Sequence, residues 1–364
     1  MTKPKLFIFT GANKVTGALV SSFGQARSMS DQVDVTVIVS SRSTIDTGRW
    51  PDIAIRRLPL ARADKRLGTL LAYPFALARS GWQLRRALRA ARCDRLQIND
   101  FHFAEGAIAR LLGFRGRIVT WVRIDPQRYG TIGRIWLALA RWSSDELVSV
   151  SKFIAGRLPP NYRSTVIYNT AQAVGEGKRE PKQQLLFIGN YIQGKGQEEA
   201  IRAFKRIANR FPEAELVFHG SEMGLAKNSV YRTKLDQLAA AGIASDRIHL
   251  RDFIDDPGSL YAQAYAALNF SHSESFSLTC LEASAHGLPV IATRCGGPEE
   301  IVEDGVTGWL VPVGDIDVMA ARMAVVLDDP ARATAMGEAG RTLVNSRFCE
   351  AKFNGQVMGV FDLH

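Results

Sequence analysis

Apolar segments alternate with amphipathic helical patterns along the whole chain. Lys5 is followed by four apolar residues, and residues 5–9 are therefore typical of a buried parallel strand. Gly11 and Gly17 follow, and a helical pattern then runs to about residue 29. Residues 33–39 are apolar and β-branched, which predicts a second strand. This succession is the start of a doubly wound sheet. Further strands of this half are predicted at residues 96–98, 118–122 and 146–150.

The second half repeats the plan. Strands are predicted at residues 184–188, 214–219, 247–250, 267–270 and 290–292, the last two completing the sheet. Helices are predicted at residues 197–209, 227–241, 317–327 and 330–344. Residues 171–181 are polar and contain two glycines, which indicates a linker. The pattern therefore predicts an α/β protein with domains at 1–170 and 171–345, and a C-terminal helix at about 346–364 is a candidate to pack back on the first domain.

Charge differs between these two halves. The net charge of +10 is the sum of +16 over residues 1–170 (27 basic, 11 acidic) and −6 over residues 171–364 (19 basic, 25 acidic). Such asymmetry indicates two domains with different partners. No apolar run reaches the roughly 18 residues of a membrane-spanning helix, and the run at residues 6–9 is shorter than a signal-peptide core. A cytoplasmic location is therefore expected.

The spacing of the cysteines and histidines does not indicate a metal site or a redox site. The four cysteines, Cys93, Cys280, Cys295 and Cys349, form no C-x-x-C pair and have no histidine at metal-ligand spacing. Reduced structural thiols are expected. We therefore expect neither a metal nor a cofactor.

The most informative pattern surrounds Glu274. This residue lies in a loop after a predicted strand, and a helix is predicted to begin two to four residues later. Glu282 then lies about one and a half turns inside the helix, and Gly287 and Pro289 follow as at a typical helix end. Eight helical residues span about 12 Å, about the length of a sugar, a diphosphate and a ribose laid end to end.

This spacing suits a nucleotide-sugar. The free N–H groups and the dipole at the helix start favour a diphosphate. Glu274 would accept hydrogen bonds from sugar hydroxyls, and Glu282 would accept them from the two ribose hydroxyls, because an ionised carboxylate is an acceptor only. The alternative is two surface glutamates on an ordinary amphipathic helix.

Two glycine-containing loops are predicted on the same sheet edge. Residues 190–196 contain Lys195, which could place an ammonium group on a phosphate; the alternative is a solvated lysine in a turn. Residues 294–298 contain Arg294 and two glycines. Each loop alone is a weak signal, but three loops on one edge favour a binding site.

The same residues carry a family resemblance. The chain has Glu274-Ser-Phe-Ser-Leu-Thr-Cys-Leu-Glu-Ala283, followed by Gly287, Pro289 and Gly296-Gly297. Over residues 145–345 it closely resembles the retaining glycosyltransferase family 4, whose hallmark is E-x7-E within E-G-F-G-L-x-x-L-E-A-x-A-x-G-x-P-V-I-A-T-x-x-G-G. The resemblance implies the GT-B fold, in which two doubly wound, Rossmann-like domains face each other across a cleft.

The resemblance also implies residue roles. Glu282 would hold the donor ribose, Lys195 would neutralise the diphosphate, and Glu274 would hold the sugar. Phe253 and Ile254 would flank the base. The full set predicted for donor binding is Gly11, Gly189, Asn190, Lys195, Phe253, Ile254, Glu274, Phe276, Ser277, Leu278, Glu282 and Arg294.

The chain departs from the family pattern in three places. Asn190 stands where the family usually has arginine, so Lys195 and Arg294 would carry more of the phosphate contact. Ser275 and Ser277 replace two glycines, which is a mild change if neither needs a positive φ.

The third departure concerns catalysis. The family often has histidine, beside the transferred sugar, where this chain has Arg123. Either His102 substitutes for it, or Arg123 contacts an acidic sugar, or His102 is structural. The predicted catalytic residues are accordingly Glu274, Lys195, His102 and Arg123.

The implied activity is retaining, metal-independent transfer from a UDP- or GDP-sugar to a glycan or lipid-linked acceptor, in bacterial surface or exopolysaccharide synthesis. The first half would bind the acceptor. Its residues 65–93 hold seven basic and no acidic residues with interleaved aromatics, and Arg134, Trp136, Arg141 and Trp142 form a second such cluster. These patterns favour peripheral contact with an anionic membrane at its inner face; a solvated basic face is the alternative.

Other function classes are disfavoured. A glycogen-phosphorylase-like enzyme would need a cofactor-lysine context that is absent from the sequence. A nicotinamide dehydrogenase would need G-x-G-x-x-G, and Gly11 and Gly17 lack that spacing. A non-enzymatic protein that binds nucleic acid or a membrane surface remains the alternative, although the basic half has no recognised nucleic-acid motif and we expect no nucleic-acid partner.

Overall fold

The computed structural model describes residues 3–12, 15–46, 48, 50–60, 67–171, 182–254 and 256–363, and among these the side chains of residues 67–71 are not described. The chain divides into two compact units. The first comprises Met1–Asn169 and Glu350–His364, and the second comprises Thr170–Cys349. The predicted linker lies almost wholly outside the described residues, as do Lys65 and Arg66 of the basic segment.

Both units are built on parallel strands. The strands of the first unit are β1 Lys5–Phe9, β2 Asp34–Ser40, β3 Ala54–Leu58, β4 Arg95–Ile98, β5 Arg117–Val122, β6 Glu146–Ser149 and β7 Thr165–Val166. Those of the second unit are β8 Gln184–Ile188, β9 Glu215–Gly220, β10 Ile248–Asp252, β11 Ala266–Asn269, β12 Val290–Thr293 and β13 Gly308–Val311.

The α-helices connect these strands in sequence order. They are α1 Gly17–Ser28, α2 Leu67–Ala91, α3 Glu105–Leu111, α4 Gly130–Ser143, α5 Lys152–Ala155, α6 Gln197–Ile207, α7 Ala226–Ala240, α8 Gly258–Gln263, α9 Leu278–Ala285, α10 Ile316–Asp328, α11 Pro330–Arg347 and α12 Glu350–Val360. Short 3-10 helices cover Pro126–Tyr129, Ser245–Arg247 and Gly297–Glu300.

In the described part of the first unit, the strand order is β3-β2-β1-β4-β5-β6-β7. The order reverses between β1 and β4, so the unit is doubly wound as predicted. Helix α3 packs against α2 and α4, which form one layer with it. Helix α12 packs against α1, because Ser28 Oγ donates to Asn354 Oδ1 at 2.8 Å and Asn354 Nδ2 donates to the Ser28 carbonyl.

The second unit has the order β10-β9-β8-β11-β12-β13 over its described residues, with the reversal between β8 and β11. Its strands are apolar on both faces because helices cover both, and Phe187, Phe218 and Phe270 pack together in the core. Ligands of such sheets bind at the carboxyl ends of the strands beside the reversal. The residues that follow β8 and β11 are therefore the first place to look for a site.

The predicted strand set was incomplete. Strands β3, β7 and β13 were not predicted, and the expectation that β12 completes the second sheet is wrong, because β13 pairs with β12. Arg56 and Arg57 are exposed on β3, which lies at an edge and needs no continuous apolar run. Strand β13 begins at Gly308, where a Cβ atom would lie 2.0 Å from the carbonyl oxygen of Val290.

Candidate functional site

Two loops meet at the carboxyl ends of β8 and β11. The amide of His272 donates to the carbonyl of Gly194 at 2.9 Å, which joins the loop after β11 to the loop after β8. Gly196 makes this approach close: its φ is +88°, and a Cβ atom there would lie 2.1 Å from the carbonyl oxygen of Phe270. Gln197 was missed by the sequence analysis. It is fully buried, and its Nε2 donates to the carbonyl of Asn190 at 2.9 Å.

Gly194 and Gly196 offer a matched test of this approach, because both have φ of +88°. Gly194→Ala meets no atom within 4 Å and should lower the free energy of unfolding by only about 1–2 kcal/mol, the cost of a left-handed alanine. Gly196→Ala adds a collision with backbone and should cost about 3 kcal/mol or more. Urea denaturation measures both. Equal losses in the two variants would show that the loop does not rest tightly on β11.

Lys195 and Glu274 form an ion pair at this edge. Lys195 Nζ lies 2.7 Å from Glu274 Oε1, and about a third of the lysine side chain is exposed. Ser271 Oγ donates to the same carboxylate oxygen at 2.8 Å. The pair is therefore accessible, and both predicted catalytic groups of the second unit are together. Ser271 was not predicted, although it lies only three residues before Glu274.

The loop after β12 holds Glu274 in place from the other side. The amide of Glu274 donates to the carbonyl of Cys295, and the amide of Gly297 donates to the carbonyl of Glu274. A Cβ atom on Gly297 would lie 2.2 Å from Cα of Phe276, so only glycine permits this contact. The Gly296-Gly297 pair therefore positions the segment that leads into α9.

Helix α9 begins at Leu278, inside the predicted window, and ends before Gly287, whose φ of +72° confirms the predicted glycine end. Ser277 is the N-cap, and its Oγ accepts from the amide of Cys280. The amides of Leu278 and Thr279 have no acceptor within the described part of the chain. These two N–H groups can therefore bind an anion at the helix start.

Ser277 has φ of +83°, so one of the two family glycines that this chain replaces does sit in a left-handed conformation. Serine in place of glycine at position 277 is therefore not the mild change that was expected, because the backbone there has a positive φ. The hydroxyl offsets the strain, because it caps α9 and accepts from Asn269 Nδ2 at 2.8 Å.

Ser277→Ala keeps the strain and removes the cap, so it should lower the free energy of unfolding by about 1–2 kcal/mol. Ser277→Gly relieves the strain as it removes the cap, so it should change that free energy by less than about 1 kcal/mol. Thermal denaturation of both variants checks this, and an equal loss in both would rule out strain at this position.

Glu282 lies on α9 and is held from α8. Tyr261, fully buried on α8, donates its hydroxyl to Glu282 Oε2 at 3.1 Å. Burial raises the pKa of Glu282 to about 7, and the Tyr261 hydrogen bond partly opposes this rise. His286 packs its ring on Tyr261, with the two centroids 4.8 Å apart. The side chain of Glu282 is therefore oriented by groups that no local pattern predicted.

The remaining residues of the second unit that were predicted to bind the donor lie after β8, β10 and β12 and differ in exposure and in hydrogen-bond partners. Phe253 follows β10 and is about half exposed, and Ile254 is partly exposed beside it. Gly189 and Asn190 follow β8, and Gly220 lets them lie close to β9. Arg294 is half exposed and is paired with Asp304 at 2.6 Å, so its guanidinium already has an anionic partner.

In the first unit, Arg123 is buried in a polar network at the carboxyl ends of β4 and β5. Its Nε donates to Asn99 Oδ1 at 2.9 Å, and one Nη donates to Asn169 Oδ1 at 3.0 Å and to Ser21 Oγ at 3.2 Å. The other Nη is buried without an acceptor among the described residues. Burial lowers the pKa of Arg123 to about 10, which leaves it protonated.

His102 lies close to this network. Its Nδ1 is 3.7 Å from Asp100 Oδ2, and burial lowers the pKa of His102 to about 4, so the imidazole is neutral at pH 7. Burial raises the pKa of Asp100 to about 7. Gly11, after β1, has φ of +61°, and a Cβ atom there would lie 2.2 Å from the ring of Phe103. The catalytic roles of His102 and Arg123 stay predictions.

Comparison with known proteins places this geometry in context. Residues 169–343 match the family described as Glycosyl transferases group 1. The chain is 31% identical over 166 residues to the GDP-mannose-dependent alpha-(1-6)-phosphatidylinositol monomannoside mannosyltransferase of Mycolicibacterium smegmatis, which covers 42% of this chain and 41% of that protein. It is 28% identical over 304 residues to the glycogen synthase of Mycobacterium tuberculosis, covering 76% and 71%. The chain thus spans about two fifths of the mannosyltransferase.

Solved structures extend the similarity to the whole chain. Anabaena HepE in complex with UDP and glucose superimposes with a TM-score of 0.83 at 19% identity over 99% of both chains. The sucrose-phosphate synthase of Thermosynechococcus elongatus superimposes with a TM-score of 0.81 at 18% identity over 99% of this chain and 98% of that one. These likenesses confirm the predicted two-domain α/β GT-B fold. The matched family and the named relatives are glycosyltransferases, and this chain shares the GT-B fold with the solved structures.

Proposed function

We propose that this chain is a retaining glycosyltransferase that moves a sugar from a UDP- or GDP-sugar to a glycan or lipid-linked acceptor in bacterial surface or exopolysaccharide synthesis. The Lys195–Glu274 ion pair carries this proposal, because it lies beside the reversal of the second sheet and precedes the open amides of α9. Glu274, the anion-binding helix start beside Lys195, and Glu282 match the sugar, the diphosphate and the ribose of a nucleotide-sugar.

The chemistry follows from where charge develops. When the bond between the sugar and the diphosphate breaks, negative charge grows on the diphosphate oxygens. The Lys195 ammonium and the amides of Leu278 and Thr279 would stabilise that charge without a metal ion. The acceptor hydroxyl attacks from the face that the diphosphate leaves, and its proton passes to a diphosphate oxygen, so the anomeric configuration is retained. The chain's main contribution is then to orient both substrates.

Donor contacts are divided between the two carboxylates. Glu282 would accept hydrogen bonds from the two ribose hydroxyls, and Glu274 would accept them from hydroxyls of the transferred sugar. Lys195 and Ser271 both bond to Oε1 of Glu274, and Oε2, which has no hydrogen bond to the described residues, is the oxygen available to the sugar. Phe253, which is half exposed, would flank the base.

The first unit would bind the acceptor. It would do so while attached peripherally to the inner face of an anionic membrane. Support comes from α2, on which exposed aromatic and basic side chains alternate at helical spacing: Phe75, Arg79, Trp82, Arg86 and Arg89. Within the described ranges, each helix is too short or too polar to cross a bilayer.

The test is a screen of UDP- and GDP-sugars for slow donor hydrolysis, with free nucleotide as the readout. We expect release of either UDP or GDP, and only from one or a few of its sugar conjugates. NMR should show that the released sugar or product keeps the donor's anomeric configuration. Inversion would contradict the retaining mechanism alone. Absence of both nucleotide release and nucleotide binding across the screen would contradict the proposed function.

A further inference from the structure

The outer surface of the α2–α3–α4 layer is unusually apolar. Nine of the sixteen exposed large apolar side chains in the described part of the chain lie between residues 75 and 142. Those on the three helices and directly after α3 are Phe75, Trp82, Leu111, Leu112, Ile132, Ile135, Leu139 and Trp142. Monomeric soluble proteins rarely expose contiguous apolar surface of this kind without using it for binding.

Helix α4 carries the densest part of this surface. Ile132, Ile135, Leu139 and Trp142 are each between 38% and 57% exposed, and at 3.6 residues per turn they fall within an arc of about 80°. The buried side of α4 is formed instead by Gly133, Leu137, Ala140 and Ser143. The helix therefore has two apolar sides, and only one of them is used by the fold.

The exposed charges on the three helices themselves are all basic, and Arg110 of α3 is paired with Asp145, which follows α4. Helices α2, α3 and α4 carry seven arginines and a single acidic residue, Glu105. Glu105 is buried and accepts from Ser80 Oγ at 2.9 Å, so it contributes no exposed negative charge. Arg134 and Arg141 lie together on one side of the apolar arc of α4, and Arg86 lies over the ring of Trp82.

We propose that the outer face of α4 inserts into the interfacial region of a bilayer containing anionic lipid, while the arginines of α2 and α4 bind the lipid headgroups. Apolar side chains on helices whose own exposed charges are all basic fit such a surface in both hydrophobicity and charge. A second copy of this chain fits less well, since a twofold contact would bring like charges together. This proposal rests on the proposed function, because docking would give the enzyme access to a lipid-linked acceptor.

This docking mode differs from the sequence-based expectation for residues 65–93. That expectation assigned membrane contact mainly to the basic segment, with Arg134, Trp136, Arg141 and Trp142 as a second cluster, whereas the exposed residues place the inserting side chains mainly on α4. Helix α2 then supplies charge and two aromatic side chains, Phe75 and Trp82. Arginine alone would give binding that vanishes at high salt, whereas an inserted apolar face keeps part of the affinity.

Vesicle sedimentation with the whole chain tests the proposal. We expect the partition coefficient for equimolar phosphatidylcholine and phosphatidylglycerol to exceed that for phosphatidylcholine alone by about tenfold or more. Ile135→Glu should lower it by about tenfold or more, because a carboxylate enters the apolar arc. Val230→Glu is the matched control, since Val230 is equally apolar and 71% exposed but lies on α7 of the second unit, and it should change binding by less than about twofold.

A second measurement uses a conservative variant at an exposed position, which is expected to fold. Brominated lipids should quench part of the tryptophan fluorescence of the wild-type chain, and Trp142→Phe should remove most of that quenching. Equal binding of wild type and Ile135→Glu, or quenching unchanged in Trp142→Phe, would overturn the proposal. So would a stable dimer in solution that Ile135→Glu dissociates.

Nucleotide affinity separates this proposal from the proposed function. Ile135→Glu should bind UDP or GDP as the wild type does, because α4 belongs to the other unit from Lys195 and Glu282. Loss of vesicle binding with intact nucleotide binding supports docking through α4. Vesicle binding without any nucleotide binding would contradict the glycosyltransferase function and leave the docking surface standing.

Discussion

Lys195→Ala is expected to lower kcat/KM for sugar transfer by about tenfold to a hundredfold. The ammonium group is the one cation bonded to Glu274 in the described structure, and a charge-assisted contact to the leaving diphosphate is worth about 1.5–3 kcal/mol. Most of the loss should appear in kcat, because negative charge on the diphosphate is greatest in the transition state. Steady-state kinetics with the donor found by the screen measures it.

Two further variants test whether the loss of kcat/KM comes from the charge of Lys195. Lys195→Arg keeps the charge but not the geometry, so it should recover part of the activity. Lys234→Ala removes a lysine of the same unit whose partner is Glu198 on the surface, and it should stay within about twofold of wild type. If Lys195→Ala and Lys234→Ala behaved alike, Lys195 would have no role in stabilising the leaving group.

Glu282→Gln is expected to raise the Kd for the nucleotide by about tenfold to a hundredfold and to remove its dependence on pH near neutrality. The pKa of Glu282 is raised to about 7, mainly by burial. Ribose hydroxyls donate to the ionised carboxylate, so affinity should be constant above that pKa. Below it, the carboxyl is protonated before binding, and the Kd should rise by up to about tenfold per pH unit. Calorimetric titration between pH 5.5 and pH 8.5, approximate bounds that bracket the pKa, checks this.

Tyr261→Phe provides the control for the pH effect. The Tyr261 hydroxyl donates to Glu282 and so favours its ionised form. Without that bond, the pKa of Glu282 should rise, and the weakening of nucleotide binding should begin at a higher pH than in wild type. A pH profile of the Kd identical in wild type, Tyr261→Phe and Glu282→Gln would show that Glu282 does not contact the nucleotide.

The sequence predicted those parts of the fold whose signals are local. Buried parallel strands such as β1 and β8 are nearly continuous apolar runs, and the glycine after α9 marks its end, so the doubly wound plan and the helix that carries Glu282 could be anticipated. The edge strand β3 carries Arg56 and Arg57, so it has no continuous apolar run and was not predicted as a strand.

The supporting residues of the site could not be predicted because they come from distant elements. Tyr261 reaches Glu282 from α8, twenty-one residues earlier, and Gln197 holds the loop after β8 from the start of α6. Neither belongs to a motif. Serine at position 277 does not indicate a left-handed backbone, so its strain appears only in the structure. Arg123 is likewise an isolated residue whose network joins Ser21, Asn99 and Asn169.

The central claim is that a diphosphate binds at the start of α9, between Lys195 and the open amides of Leu278 and Thr279. A crystal structure of this chain soaked with UDP or GDP tests it directly. The predicted result is a diphosphate within hydrogen-bond distance of Lys195 Nζ and those amides, with both ribose hydroxyls on Glu282. A nucleotide bound elsewhere on the chain, with Lys195 still on Glu274 and Glu282 still contacting Tyr261 alone, would contradict it.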